Sequence, residues 1–174
     1  MGTLVFYIFF GICFICFAIR TSHHVLKNRG SELAENRKVI KILFVVMFFL
    51  WFGWHGMVFN DPYEMNLTSW LRYIGLAIFI IGISLFIIPH LKIKGVENQD
   101  RGLITGGIYS KLRHPMYFGF MLWIIGFSIF MDSLFTIASS VIWIPQFLYW
   151  GISEEKELEK KYEEYGEYKR KTWF

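Results

Sequence analysis

Two short clusters of reactive side chains flank a long apolar stretch of this chain. Arg113-His114-Pro115 stands before it and Ser153-Glu154-Glu155 after it. Arginine and histidine can hold an anion through charge-assisted hydrogen bonds, and paired carboxylates can hold a cationic group. Pro115 suits the first turn of a helix and pushes His114 toward extended geometry. Arg113 and His114 therefore stand where a helix N-terminus presents free N–H groups and a partial positive charge, which makes an anion-binding corner. Upstream, Gly106-Gly107 permits positive φ and close approach of a ligand to the backbone. Taken singly, each motif has a plainer reading. Arg113-His114-Pro115 also describes a basic membrane anchor, and Glu154-Glu155 also describes solvated first-turn acids behind a Ser153 cap.

The spacing between the clusters decides whether they meet. One straight helix across the stretch would hold them roughly 50 Å apart, against a hydrocarbon core about 30 Å thick. Folding back at Met131-Asp132-Ser133 makes a two-helix hairpin and returns Glu154 and Glu155 to the side of Arg113. The rest of the chain agrees with such a bundle. It is 55% hydrophobic and 20% aromatic, and its apolar blocks fall at 2–19, 39–59, 70–89, 115–131 and 134–152. The expected fold is all-α: a polytopic membrane bundle of about five transmembrane helices. A short cytoplasmic amphipathic helix over 153–172 follows, with Leu158, Tyr162, Tyr165 and Thr172 as its docking stripe. No repeat or domain boundary is visible, so 1–174 reads as one domain.

Basic residues test this count independently. Arg20, Lys27, Arg29, Arg37 and Lys38 fill the first linker, and none occurs in 60–69. Lys92, Lys94, Arg101, Lys111 and Arg113 fill the third, the Asp132 turn again has none, and the tail is rich in lysine. That alternation is the positive-inside pattern of five crossings with the N-terminus outside. It predicts a multi-pass protein of a prokaryotic cytoplasmic membrane or the endoplasmic reticulum, with the reactive clusters facing the cytoplasm.

The first block carries no basic leader or cleavage site and reads as a retained helix. The net charge of +4 is explained by topology and anionic lipid heads, without nucleic acid. Cys13 and Cys16 form a CxxC inside an apolar block without nearby histidines. They read as small buried residues rather than zinc ligands, and no metal is expected. His23 and His24 are expected to be solvated, His55 interfacial, and Arg72 to snorkel. No strand–GxGxxG–helix unit supports a Rossmann cofactor site.

Together, Gly107-x-Tyr109-x-x-x-Arg113-His114-Pro115-x-Tyr117-x-Gly119 and Glu154-Glu155-x-x-Leu158-x-x-x-Tyr162-x-x-Tyr165-x-x-Tyr168 resemble the isoprenylcysteine carboxyl methyltransferase and phospholipid methyltransferase superfamily of integral membrane enzymes. The resemblance covers roughly Leu103 to Thr172. It implies S-adenosylmethionine as methyl donor and a lipophilic acceptor entering from the bilayer, such as a prenylcysteine carboxylate or a lipid head group. It implies no required protein partner beyond membrane lipids. Carried over, Gly107, Tyr109, His114, Tyr117 and Glu154 would line the cofactor pocket, with Arg113 and Glu155 toward the acceptor. Ile108, Ser110 and Glu163 depart from residues common in that superfamily and bear on acceptor identity. The competing readings are a sterol-reductase-like enzyme using NADPH, whose relatives share the tyrosine-rich Arg-His-Pro region, and a non-enzymatic membrane scaffold. The scaffold reading gives no reason for paired polar motifs at one face.

Overall fold

The computed structural model describes residues 2–94 and 102–174. Of the basic residues counted in the third linker, Arg101 lies outside the described residues, as do the side chains of Lys92 and Lys94. The chain forms α1 (Gly2–Asn28), α2 (Arg37–Phe59), α3 (Ser69–Lys94), α4 (Pro115–Phe130), α5 (Leu134–Lys161) and α6 (Tyr165–Lys171). Short 3-10 turns occupy Glu32–Glu35 and Gly107–Ser110. Helices α1, α2, α3 and α5 are long and apolar enough to cross a membrane, and α4 is a shorter apolar helix. The 16 residues of α4 rise about 24 Å.

The hairpin turn forms where the sequence places it. Asp132 takes a left-handed φ of 62°. This lets Ser133 N–H bond back to Ser128 O at 2.9 Å and Asp132 N–H to Ile129 O at 3.1 Å, a Schellman closure of α4. Asp132 then reaches the 60–68 linker, accepting from Leu67 N–H at 3.1 Å through its carboxylate. Asp61 accepts from Thr136 N–H at 2.7 Å and from its hydroxyl at 2.8 Å. These bonds join the two lysine-free and arginine-free segments at one end of the bundle. Arg72, which caps Phe130 O from Nε at 2.9 Å, lies there too.

Three expectations change. The helix begun in the hairpin does not stop at Ile152 to let a separate tail helix start at Ser153. It continues to Lys161, because Glu154–Lys161 are strong helix formers with no break before Tyr162. Ser153 is therefore an interior, buried residue rather than a cap. It accepts a bond from Asn28 Nδ2 at 2.8 Å and contacts His24 Nδ1 at 3.3 Å. His24 is not solvated but buried: α1 runs two turns past Ile19 and carries it onto the Trp150 ring, 5.8 Å away and nearly parallel. His23 meets Ala34 O at 3.1 Å.

The helices pack in two different ways. α1 is joined to α5 by rings: Phe17 lies between Trp143 at 4.7 Å and Trp150 at 5.4 Å, and His24 continues the stack. α2 meets α4 through rings from Trp51 onward, with Trp51 4.8 Å from both Phe120 and Trp123. α3 and α4 instead touch backbone to backbone. Gly75 and Gly82 on α3 face Gly126 and Gly119 on α4, and a Cβ on Gly82 would lie 2.7 Å from Gly119 O. Small residues at such a crossing let apolar helices approach closely where no hydrophobic effect drives them together. Cys13 and Cys16 are buried thiols in the α1 core.

Candidate active site

At the opposite end, the non-helical approach 111–114 is held by the last residues of the chain. Trp173 N–H bonds to Lys111 O at 3.1 Å, Arg113 N–H to Trp173 O at 3.3 Å and His114 N–H to Phe174 O at 2.9 Å. A parallel bridge pairs Leu112 with Trp173. Arg113 completes this strap. Its Nε donates to Glu155 Oε1 at 2.8 Å, and its Nη1 donates to Lys169 O at 3.1 Å and to Thr172 O. The guanidinium thus ties α5, α6 and the strap together.

Glu155 is the centre of the charge network. Besides Arg113 it meets Lys169 Nζ at 2.7 Å and His114 Nε2 at 3.3 Å, and it is 8% exposed. Glu154, one residue on, turns the other way. Its side chain is 44% exposed, its Oε2 lies 3.8 Å from His114 Nδ1, and its carboxylate stands near Tyr117. Adjacent residues on a helix point about 100° apart, so neighbouring carboxylates receive different surroundings.

Glu154 faces a half-open cavity of about 220 Å³. Tyr109, His114 and Tyr117 form one wall, while Leu158, Tyr162, Tyr165 and Tyr168 form the other. The Tyr109 and Tyr165 hydroxyls are buried and unpartnered. The Tyr168 hydroxyl donates to Tyr109 O at 2.7 Å. Burial, with Glu154 and Tyr168 adding to it, pushes the Tyr109 hydroxyl up to about 12, so it is a donor at neutral pH. Of the residues expected at the site, Tyr109, His114, Tyr117, Glu154 and Arg113 line this cavity. Glu155 stands behind its wall. Gly107 is exposed, with φ of 69°, opening the turn that delivers Tyr109.

The sequence pattern assigned Leu158, Tyr162 and Tyr165 to a docking stripe and gave Tyr168 no place in it, whereas all four wall the cavity. The three-residue recurrence of the tyrosines beside Glu154 was the available signal. Sequence reasoning missed Arg20 altogether. The Arg20 guanidinium stands beside Tyr117 and lies over the Trp150 ring at 5.8 Å. Nothing near Arg20 in the sequence connects it to residues about a hundred positions away.

Residues 70–165, more than half of the chain, match the phospholipid methyltransferase family. The chain belongs to that family. A 49-residue segment is 37% identical to the protein-S-isoprenylcysteine O-methyltransferase of Schizosaccharomyces pombe, covering 27% of this chain and 21% of that enzyme. No solved structure matches. The phospholipid methyltransferase match runs from the second residue of α3 to Tyr165, and so includes Glu154 and every element of the hairpin.

His114 gives this candidate site a pH signature. Burial lowers its affinity for a proton below the ordinary 6.5, and outweighs Glu154 and Glu155, which act the other way. The direction is physically sound because Glu155 is already compensated by Arg113 and Lys169. As pH falls through 6.5 the unfolded chain takes the proton first, so the stability tied to His114 is full above that value and declines below it. Melting followed from about pH 7.5 to about pH 5.5 should show a falling midpoint that flattens in His114→Gln. An unchanged slope in that variant would assign the acid sensitivity elsewhere.

Proposed function

We propose that this protein transfers a methyl group from S-adenosylmethionine to a lipophilic acceptor, such as a prenylcysteine carboxylate or a lipid head group. The site faces the cytoplasm of a five-crossing bundle. The family supplies the reaction class. The observation that carries the cofactor reading is one cavity offering a compensating carboxylate, Glu154, and two buried unpartnered hydroxyls, Tyr109 and Tyr165, between aromatic walls. The lysine and arginine pattern supports this side of the membrane. Arg20, Lys27, Arg37, Lys111 and the basic tail gather at the end of the bundle that holds the site.

When bound, S-adenosylmethionine supplies an electrophilic methyl on a sulfonium. The protein's part is placement and electrostatics. Glu154 offsets the positive charge of the donor's ammonium and sulfonium. The hydroxyls of Tyr109 and Tyr165 satisfy polar atoms of the donor, and the tyrosine rings stack on its flat portion. Tyr117, between Glu154 and Arg20, lines both this cavity and its neighbour and stands at the boundary between donor and acceptor. Arg113, His114 and Glu155 fix the walls, and their charges compensate one another.

The detergent-solubilised protein should melt higher with S-adenosylmethionine or its demethylated product, because a ligand that binds only the folded state stabilises it. Glu154→Gln removes one charge-assisted contact and should raise the donor dissociation constant about tenfold. A shift with NADPH and none with either methyl-donor ligand would replace this reading with a reductase.

A further inference from the structure

A second cavity, of about 410 Å³, lies on the far side of Tyr117 and Glu154 from the first and shares both residues with it. Helix α1 contributes Arg20, His23, His24 and Lys27, spaced so that they form one stripe of the helix. Helix α2 contributes Ile40, Leu43, Phe44 and Met47 with the same spacing. The cleft is open on this side because the ring contacts of α2 with α4 begin only at Trp51, while the first half of α2 packs on α1 and buries Leu43 and Val46. Phe44 is 73% exposed and Ile40 41%, which leaves the apolar side open laterally, where acyl chains would lie. The cleft is polar on one face and greasy on the other.

Its charges are unevenly satisfied. Lys27 is paired with Glu157. Glu154 belongs to the donor cavity, and Glu35 is exposed on the 3-10 turn after α1. Arg20 has no carboxylate partner among the described residues. Its guanidinium meets the Tyr117 hydroxyl and the Trp150 ring, while its Nε is buried and unpartnered. His24 is only 6% exposed, and its Nε2 is buried and unpartnered. Two residues that line one cleft, a turn apart on α1, therefore each carry a buried donor-capable nitrogen without a partner. Arg20 is a half-buried cation with no carboxylate within salt-bridge distance among the described residues, so an acidic group placed beside it would be compensated.

We propose that this cleft is the acceptor chamber, and that Arg20 with His24 receives the acidic head of a chain-bearing amphiphile whose tail lies along α2. The proposal rests on the methyl-transfer reading and adds the acceptor's chemistry to it. Tyr117 and Glu154 line both cavities, so an acidic oxygen brought from Arg20 to their junction can meet the donor's methyl. For a carboxylate, an oxygen lone pair forms the new bond to the methyl carbon while the carbon–sulfur pair leaves with sulfur. A neutral ester and a thioether result, and no proton is released. The residues that select the acceptor then lie in α1 and α2, outside the segment that matches the family.

The test uses 11-(dansylamino)undecanoic acid and its methyl ester as fluorescent probes on the full protein in neutral detergent. Oleate, oleoyl lysophosphatidate and oleylamine serve as competitors. The acid should bind, both anionic lipids should displace it, and oleylamine should not. The stronger of the two competitors tells a carboxylate from a phosphate head. Arg20→Gln should weaken acid binding about tenfold or more while leaving the methyl ester unchanged. Retention of the thermal shift with S-adenosylmethionine shows that this variant is folded. Ile40→Trp, at an exposed position on the apolar wall, should weaken acid and ester alike by obstructing the tail. Equal binding of the acid to wild type and Arg20→Gln, or preferred displacement by oleylamine, overturns the proposal. Failure of S-adenosylmethionine to bind the wild type instead overturns the methyl-transfer reading and leaves the amphiphile result standing by itself.

Discussion

Arg113→Ala should cost about 3 kcal/mol of stability, because it leaves the buried Glu155 carboxylate short of its main partner. The two side chains are 13% and 11% exposed, so water screens the loss poorly. Lys169 remains, but it is 40% exposed and shared with Glu159. The strap is harmed as well, since Lys169 O and Thr172 O lose their donor. Arg113→Lys keeps a charge but cannot reach a carboxylate and two carbonyls at once, so it should recover only part of the loss. Chemical unfolding in detergent, followed by near-ultraviolet dichroism, measures both variants. If Arg113→Ala is as stable as wild type while the acceptor KM rises, Arg113 serves the acceptor directly and is not a strut.

The second large effect lies far from any charge. Gly126→Ala should destabilise by about 3 kcal/mol, because its Cβ would lie 2.7 Å from Gly75 O and meet the Phe79 backbone, atoms that cannot rotate away. Gly11→Ala is the control: nothing lies within 4 Å of that added Cβ, and α1 should gain a few tenths of a kcal/mol from the better helix former. The same substitution should therefore carry opposite signs in two spans of one bundle. Equal effects would mean that the α3–α4 crossing is looser than its backbone contacts imply.

Much of the architecture was legible because the bilayer makes length and charge informative. The Asp132 turn, the return of Glu154 toward Arg113 and the two linkers without lysine or arginine at the far end each follow from one physical constraint. What escaped is of a different kind. Whether α5 pauses at Ser153 depends on packing against His24 and Asn28, which no local signal reports. The separate surroundings of Glu154 and Glu155 depend on helix phase and on a strap from residues 169–174. Arg20 reaches the site only because α1 outruns its apolar block. The glycines of α3 and α4 recur at seven-residue spacing, but that spacing says nothing about which helix they face.

The contrast between the two kinds of packing has a mechanical consequence. Ring contacts can slide and re-pack, whereas apposed backbones have no alternative arrangement. Widening of the bundle toward the lipid is therefore cheapest where α2 leans on α4 through Trp51. It is dearest along α3 and α4, whose first residue, Pro115, follows His114. A guest can come and go through a door hung on aromatic hinges while the frame around Glu154 keeps its shape.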